Sequence, residues 1–251
     1  MLGLEKNARC LICGETLFYA DDAVGMQCMF CGDAFYTNRI CENEHYVCDE
    51  CHGERALEMI MSGCLSAKSD DALGIAYELL MNKWVRMHGS EHHFLVAAAL
   101  LTAYHNRNYS TSTANWDFEG VLAEAKSRAM KICDNACGFW GCCGAAIGAG
   151  IFASLALKAM PVSVGERGTA NLITSKALEK ISVYGGPRCC KRETFTAIFS
   201  TSQFTNEYWD MPLTDYQGVE CQFHHRNIEC IGVRCPFNPE AISETEPPVS
   251  L

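Results

Sequence analysis

Seven of the 17 cysteines fall within the first 51 residues, and six of those stand as Cys-x2-Cys pairs: Cys10 with Cys13, Cys28 with Cys31, and Cys48 with Cys51. Such spacing brings two sulfurs around one ion at little chain cost, and Cys41-x3-His45 sits between the second and third pairs. The odd total fits poorly with a closed set of disulfides. The N-terminus has no basic stretch leading into a long apolar run, so no secretory signal is read, and a cytoplasmic location with reduced thiols is expected.

The ligand count supports two zinc ions. Eight donors are available: Cys10, Cys13, Cys28, Cys31, Cys41, His45, Cys48 and Cys51. A treble-clef or cross-brace arrangement uses them all, although spacing does not say which pairs share an ion, and His52 competes with His45. Residues 1–52 are otherwise turn-rich with scattered apolar residues, as expected where metal replaces a hydrophobic core. Eight protein ligands leave no open coordination position, so these ions read as structural.

Beyond residue 52 the pattern is mainly α, a helical domain expected over 53–204. Ser69, Asp70 and Asp71 make a helix start, with Leu73, Ala76, Tyr77 and Leu80 on one face. Ser90-Glu91 starts a second helix carrying the apolar run Phe94 to Leu101. Phe118, Val121, Leu122, Ala125, Ala129 and Ile132 give the clearest amphipathic period. A Gly/Ala-rich helix follows from about Trp140 and ends before Pro161. Another runs from about Arg167 to Tyr184, and Pro187 suits the first position of a helix reaching about Ser200. Residues 205–238 read as an irregular segment packed on this domain, and 239–251 as a disordered tail.

Charge and hydropathy exclude two classes. A formal charge of −10 disfavours general nucleic-acid binding, and the first 52 residues lack a basic recognition helix. The uncharged stretch from Asn135 to Leu157 has five glycines and few large aliphatics, so it reads as a closely packed helix and not a membrane span.

Three downstream clusters carry candidate chemistry. In Pro187-Arg188-Cys189-Cys190-Lys191-Arg192, a helix N-terminus and three cations are expected to favour thiolate. Adjacent side chains on a helix diverge by about 100°, so Cys189 and Cys190 are expected to do different jobs. In Gly138-Phe139-Trp140-Gly141-Cys142-Cys143-Gly144-Ala145-Ala146, thiols stand beside glycines. Gly144 and Gly148 either let backbone approach a ligand or permit close helix packing. In His88-Gly89-Ser90-Glu91-His92-His93, His88 and His92 share one face if the helix reaches back to His88, and general acid or base work is equally compatible. Cys221-x8-Cys230-x4-Cys235 offers a third metal site, alone or with Cys133 and Cys137.

The runs from His88 to Val96, Gly138 to Ala146 and Gly186 to Arg192 resemble an uncharacterised Cys-rich domain family of anaerobic archaea and bacteria. The resemblance covers about residues 40–200. That family occurs alone or beside methyltransferase or radical-SAM modules, which implies a protein partner of that kind but names no reaction. The style of Cys142 to Gly150 is also similar to iron–sulfur serine dehydratases and cysteine desulfidases, as an analogy only.

Two functions are therefore expected. One is a metalloenzyme with structural zinc and a thiolate-rich centre, an iron–sulfur cluster included, acting on a sulfur-containing or small anionic substrate as a lyase or sulfur-transfer enzyme. Its catalytic candidates are Cys143, Cys190, His92, His93 and Arg188. Its cofactor-binding candidates are Cys142, Cys189, Gly144, Gly148 and Arg192. The alternative is an accessory protein that docks through its zinc module and carries sulfur, metal or a redox signal for a partner enzyme. Self-association is compatible with both.

Overall fold

The computed structural model describes residues 8–109, 116–214 and 218–241. Its elements run β1 (Phe18–Gln27), β2 (Ala34–Ile40), α1 (Asp49–Ser66), α2 (Ala72–Leu80), α3 (Glu91–Tyr109), α4 (Phe118–Ala129), α5 (Ala136–Phe139), α6 (Gly144–Ala156), α7 (Gly165–Ser182) and α8 (Cys190–Trp209). The protein is a mainly α fold preceded by a small Cys-rich module. No described helix is long and apolar enough to cross a membrane. The expected tail falls largely on 242–251, outside the described residues.

The core is built around α3. Phe94, Leu95, Val96, Ala97, Ala98, Ala99, Leu100 and Leu101 are all fully buried. A helix apolar all round must be enclosed on every side, and α1, α2, α4, α6 and α8 all pack on it. Short side chains over three of these positions let neighbouring helices approach.

Helix starts follow local chemistry. Asp71 caps α2 by accepting from the Leu73 N–H at 3.1 Å, and Asp117 caps α4 by accepting from Gly120 at 3.0 Å. Pro187 does not open α8. It follows a cis Gly186–Pro187 bond, and Cys189 is the cap, its sulfur accepting from the Arg192 N–H at 3.5 Å. The Gly/Ala-rich segment divides into α5 and α6, separated by Gly141 at φ +63°. That conformation suits glycine and interrupts a helix.

Glycines in α6 set its distance from α3. A Cβ at Gly148 would lie 2.6 Å from the carbonyl oxygen of His93 and 3.1 Å from Val96, and one at Gly144 would run into the His93 ring. Gly144-x3-Gly148 is thus a packing seam, and its filled space corrects the expectation that these two glycines cradle a cofactor. Because the nearest obstacle at Gly148 is backbone, Gly148→Val should destabilise the chain by about 1–3 kcal/mol through overpacking. A lowered urea midpoint with unchanged slope is the expected result.

The module and the helical core are joined through α1. The helix starts in the last Cys-x2-Cys pair and continues into the core through Ala56, Leu57, Ile60 and Cys64. Phe30 and His52 meet the Trp84 ring edge-on, and Lys83 donates to the Leu11 carbonyl at 2.6 Å. The irregular segment 218–241 is fixed by Phe223 against Tyr77 and Phe237 against Phe195.

Candidate metal centres and cleft

The N-terminal donors resolve into two interleaved sets. Cys10, Cys13, Cys41 and His45 form one, and Cys28, Cys31, Cys48 and Cys51 form the other, with the ligating atoms of each set within 4.8 Å of one another. Cys10/Cys13 shares a site with Cys41/His45, and Cys28/Cys31 with Cys48/Cys51, so alternate pairs along the chain combine, which is the cross-brace pairing. Thiolates with or without one imidazole in a compact group suit a tetrahedral ion.

Local backbone geometry prepares these sites. At both knuckles the first cysteine's N–H donates across the turn, Cys10 to Glu15 O at 2.7 Å and Cys28 to Asp33 O at 2.9 Å. Each knuckle closes on a glycine, Gly14 at φ +81° and Gly32 at φ +78°. The Cys-x2-Cys-Gly repeat was the available sequence signal for this turn. The β1–β2 hairpin is closed by the second knuckle, and the first sits beside the Arg9–Thr16 bridge. The Cys48 N–H donates to Cys28 Sγ and the Cys51 N–H to Cys48 Sγ, both at 3.4 Å. The backbone N–H of Glu15, with Asn43, draws the Cys13 thiol down to about 6, favouring the thiolate a metal needs. His52 is not in either set; it is largely buried against Trp84.

The three downstream runs meet around the start of α8. Cys143, the residue before α6, donates its thiol to Glu193 Oε2 at 3.2 Å, while Glu193 Oε1 accepts from the Cys189 N–H at 3.0 Å. Burial and the Glu193 carboxylate push the Cys143 thiol far above its ordinary range. Burial also raises Cys190 to about 12 and Cys189 to about 11. The expectation that nearby cations hold these thiols as thiolates is thus corrected: desolvation outweighs the cations, which are engaged elsewhere. Lys191 Nζ donates to the Arg86 carbonyl at 2.9 Å, and Arg192 to the carbonyls of Gly185 and Pro187 at 3.0 and 3.1 Å. Arg188 donates to Asn135 Oδ1 at 2.6 Å.

Cys143 and Glu193 floor an open cleft of about 770 Å³, whose walls include Asn135, Phe139, Gly141, Ser182 and Arg188. Phe139 stands 80 % exposed on its rim. Cys190 is half-buried and points toward Glu193 and the Gly89 backbone, and Cys142 is half-buried outside the cleft wall.

The histidines divide. The expected His88/His92 pair on one helical face is not formed, because α3 begins at Glu91 and Gly89 lies outside it. His88 Nε2 instead pairs with Asn227 Oδ1 at 3.2 Å, and His92 Nδ1 with the Gly89 carbonyl at 3.0 Å. Burial lowers His92 to about 3, and lowers His93 too. Buried nitrogens without hydrogen-bond partners remain at His92 Nε2 and His93 Nδ1.

Cys189 faces the other way from Cys190. It lines a hollow of about 20 Å³ with Cys221, Cys230 and Cys235, bounded by Arg192, Asn227 and Phe195. Cys133 and Cys137 are not part of that wall, so the third cysteine group is completed by Cys189. Glu193 and Asn227 are the site residues that sequence reasoning missed. Glu193 carries a signal, reaching back to the N-cap backbone much as a capping box does. Asn227 has none.

The chain belongs to a family of unknown function, DUF5714, whose family model matches residues 60–238. The match spans the cleft and the four-cysteine hollow and begins within α1, after both N-terminal metal sites. No curated protein and no solved structure matches the chain.

Proposed function

We propose that this protein is a metalloenzyme in which two N-terminal zinc ions hold the module together and the chemistry takes place in the cleft, on a sulfur-containing or small anionic substrate. The observation that carries this reading is the Cys143 thiol on Glu193, 3.2 Å apart at the floor of an open cleft beside Arg188. At rest the thiol keeps its proton. Glu193 is placed to take that proton as the sulfur attacks, or to guide its delivery to a leaving group. Arg188 supplies positive charge for a carboxylate or other anion. His93 backs the floor, its ring lying against Gly144 next to Cys143.

Calorimetric titration with L-cysteine and 3-mercaptopropionate tests this reading. Saturable binding of at least one is expected, weakened tenfold or more by Arg188→Met. Absence of binding by both overturns it.

A second reading, docking onto a partner enzyme, is favoured by aromatic exposure on the hairpin: Tyr36 is 85 % exposed and Phe18 52 %. Co-purification dependent on Tyr36 would support it.

A further inference from the structure

We propose that Cys189, Cys221, Cys230 and Cys235 bind a [4Fe–4S] cluster in the hollow between the start of α8 and the irregular segment 218–241. The inference does not rest on the reading of the cleft.

The four residues come from distant parts of the sequence, yet they line one small hollow. A single zinc ion draws four sulfurs to within about 4 Å of one another. The N-terminal sets come near that spacing, their ligating atoms lying within 4.8 Å of one another. Among the described residues they are the sets of three or more His, Cys or carboxylate donors that lie so close. The four cysteines around the hollow are not among those sets, and a cube, in which each thiolate ligates a different iron, needs its sulfurs farther apart than a single ion does.

Hydrogen bonding points the same way. Cys221 Sγ accepts from the Phe223 N–H at 3.4 Å, and Cys230 Sγ from the Gly232 N–H at 3.3 Å. Cys189 Sγ accepts from the Arg192 N–H and from Asn227 Nδ2, both at 3.5 Å. Two of these are contacts from a residue two positions onward, as in tight turns around a ligating sulfur. The N-terminal sites use backbone N–H···S bonds in the same manner. Donors aimed at sulfur stabilise thiolate ligands and set the cluster's potential. Arg192, only 3 % exposed, lines the same wall and places a buried positive charge beside a cluster that carries net negative charge. Asn227 is held by His88, which ties the hollow to the loop before α3. The site also adjoins the cleft, since Glu193 holds both the Cys189 backbone and the Cys143 thiol.

The full chain, purified without oxygen and reconstituted with ferrous iron and sulfide, provides the test. About four irons and four acid-labile sulfides per chain are expected, with broad absorption near ~400 nm and an electron paramagnetic resonance signal on reduction. Cys230→Ser and Cys235→Ser should lose most of the iron and sulfide, while Cys142→Ser keeps them. Unchanged zinc content and circular dichroism show that each variant has folded. Failure to take up iron and sulfide, a third zinc held by these cysteines, or full cluster content in both Cys230→Ser and Cys235→Ser overturns the assignment.

Discussion

Cys48→Ser should cost the protein one of the two metal ions its N-terminal sites can hold, and unfold the module around the hairpin. Cys48 serves two structures at once. Its sulfur belongs to the Cys28, Cys31, Cys48 and Cys51 set, and it also caps α1 by accepting from the Cys51 N–H. Structural zinc in small domains contributes roughly 10–16 kcal/mol of apparent binding free energy. The cluster at this site is small, with Phe35, Tyr46 and Val47 packed on the cysteines, so little apolar burial is left to replace the ion. The expected result is a fall from two zincs to one by elemental analysis, with new protease cleavage between residues 8 and 48. The helical core, centred on α3, should keep most of its circular dichroism.

Glu91→Ala should produce the largest loss inside the helical domain. Glu91 is 1 % exposed and accepts from the Arg86 guanidinium at 2.7 Å and from the Arg86 backbone N–H at 2.9 Å. Removing the carboxylate leaves a largely buried cation without its counter-charge. The cost is about 3 kcal/mol, the lower end for a broken buried pair because Arg86 keeps some contact with water. For a chain of this length that lowers Tm by roughly 6–12 °C. Arg86 also offers its carbonyl to Lys191, so the effect should reach the start of α8.

The same corner sets an acid dependence. Burial works to raise the Glu91 carboxyl, but the His92 imidazole and the Arg86 guanidinium bring it to about 2; with His92 neutral over most of the range, Arg86 is the partner that matters near pH 7. Stability from Glu91 is present above its ordinary value near 4.5 and is lost as pH falls toward 2. His92, lowered to about 3 from 6.5, acts in the same direction. The unfolded chain takes up its proton first, so stability falls as pH drops from 6.5 toward 3. By pH 5 this loss has reached about 2 kcal/mol. Urea midpoints at pH 7 and pH 5 should therefore differ less in His92→Gln than in the wild type, and equal differences would contradict the assignment.

Much of this architecture was legible in the sequence because local chemistry decides it. Asp71 caps α2 where its side chain reaches a backbone donor two residues on, and the run from Phe94 to Leu101 could be satisfied only by full burial. The eight N-terminal donors were legible because Cys-x2-Cys spacing is itself the coordination geometry. Pairing was not, since it depends on how the hairpin folds back. The helical sites were harder for the same reason. That Cys189 and Cys190 should diverge follows from helix geometry, but which partners each one meets depends on tertiary packing: Cys189 joins cysteines more than thirty residues away, and Cys190 turns toward Glu193. The thiolate expectation failed because a sequence displays the charges of Arg188, Lys191 and Arg192, but not the carbonyls that engage them or the burial that raises the thiols.

Zinc-edge X-ray absorption on the native protein reads both N-terminal sites at once. One site offers three thiolates and an imidazole, and the other offers four thiolates. The cross-brace assignment therefore predicts two zincs per chain with an averaged shell of about 3.5 sulfurs at ~2.3 Å and half a nitrogen. A single zinc per chain, or an oxygen-rich shell with an open position, would contradict it.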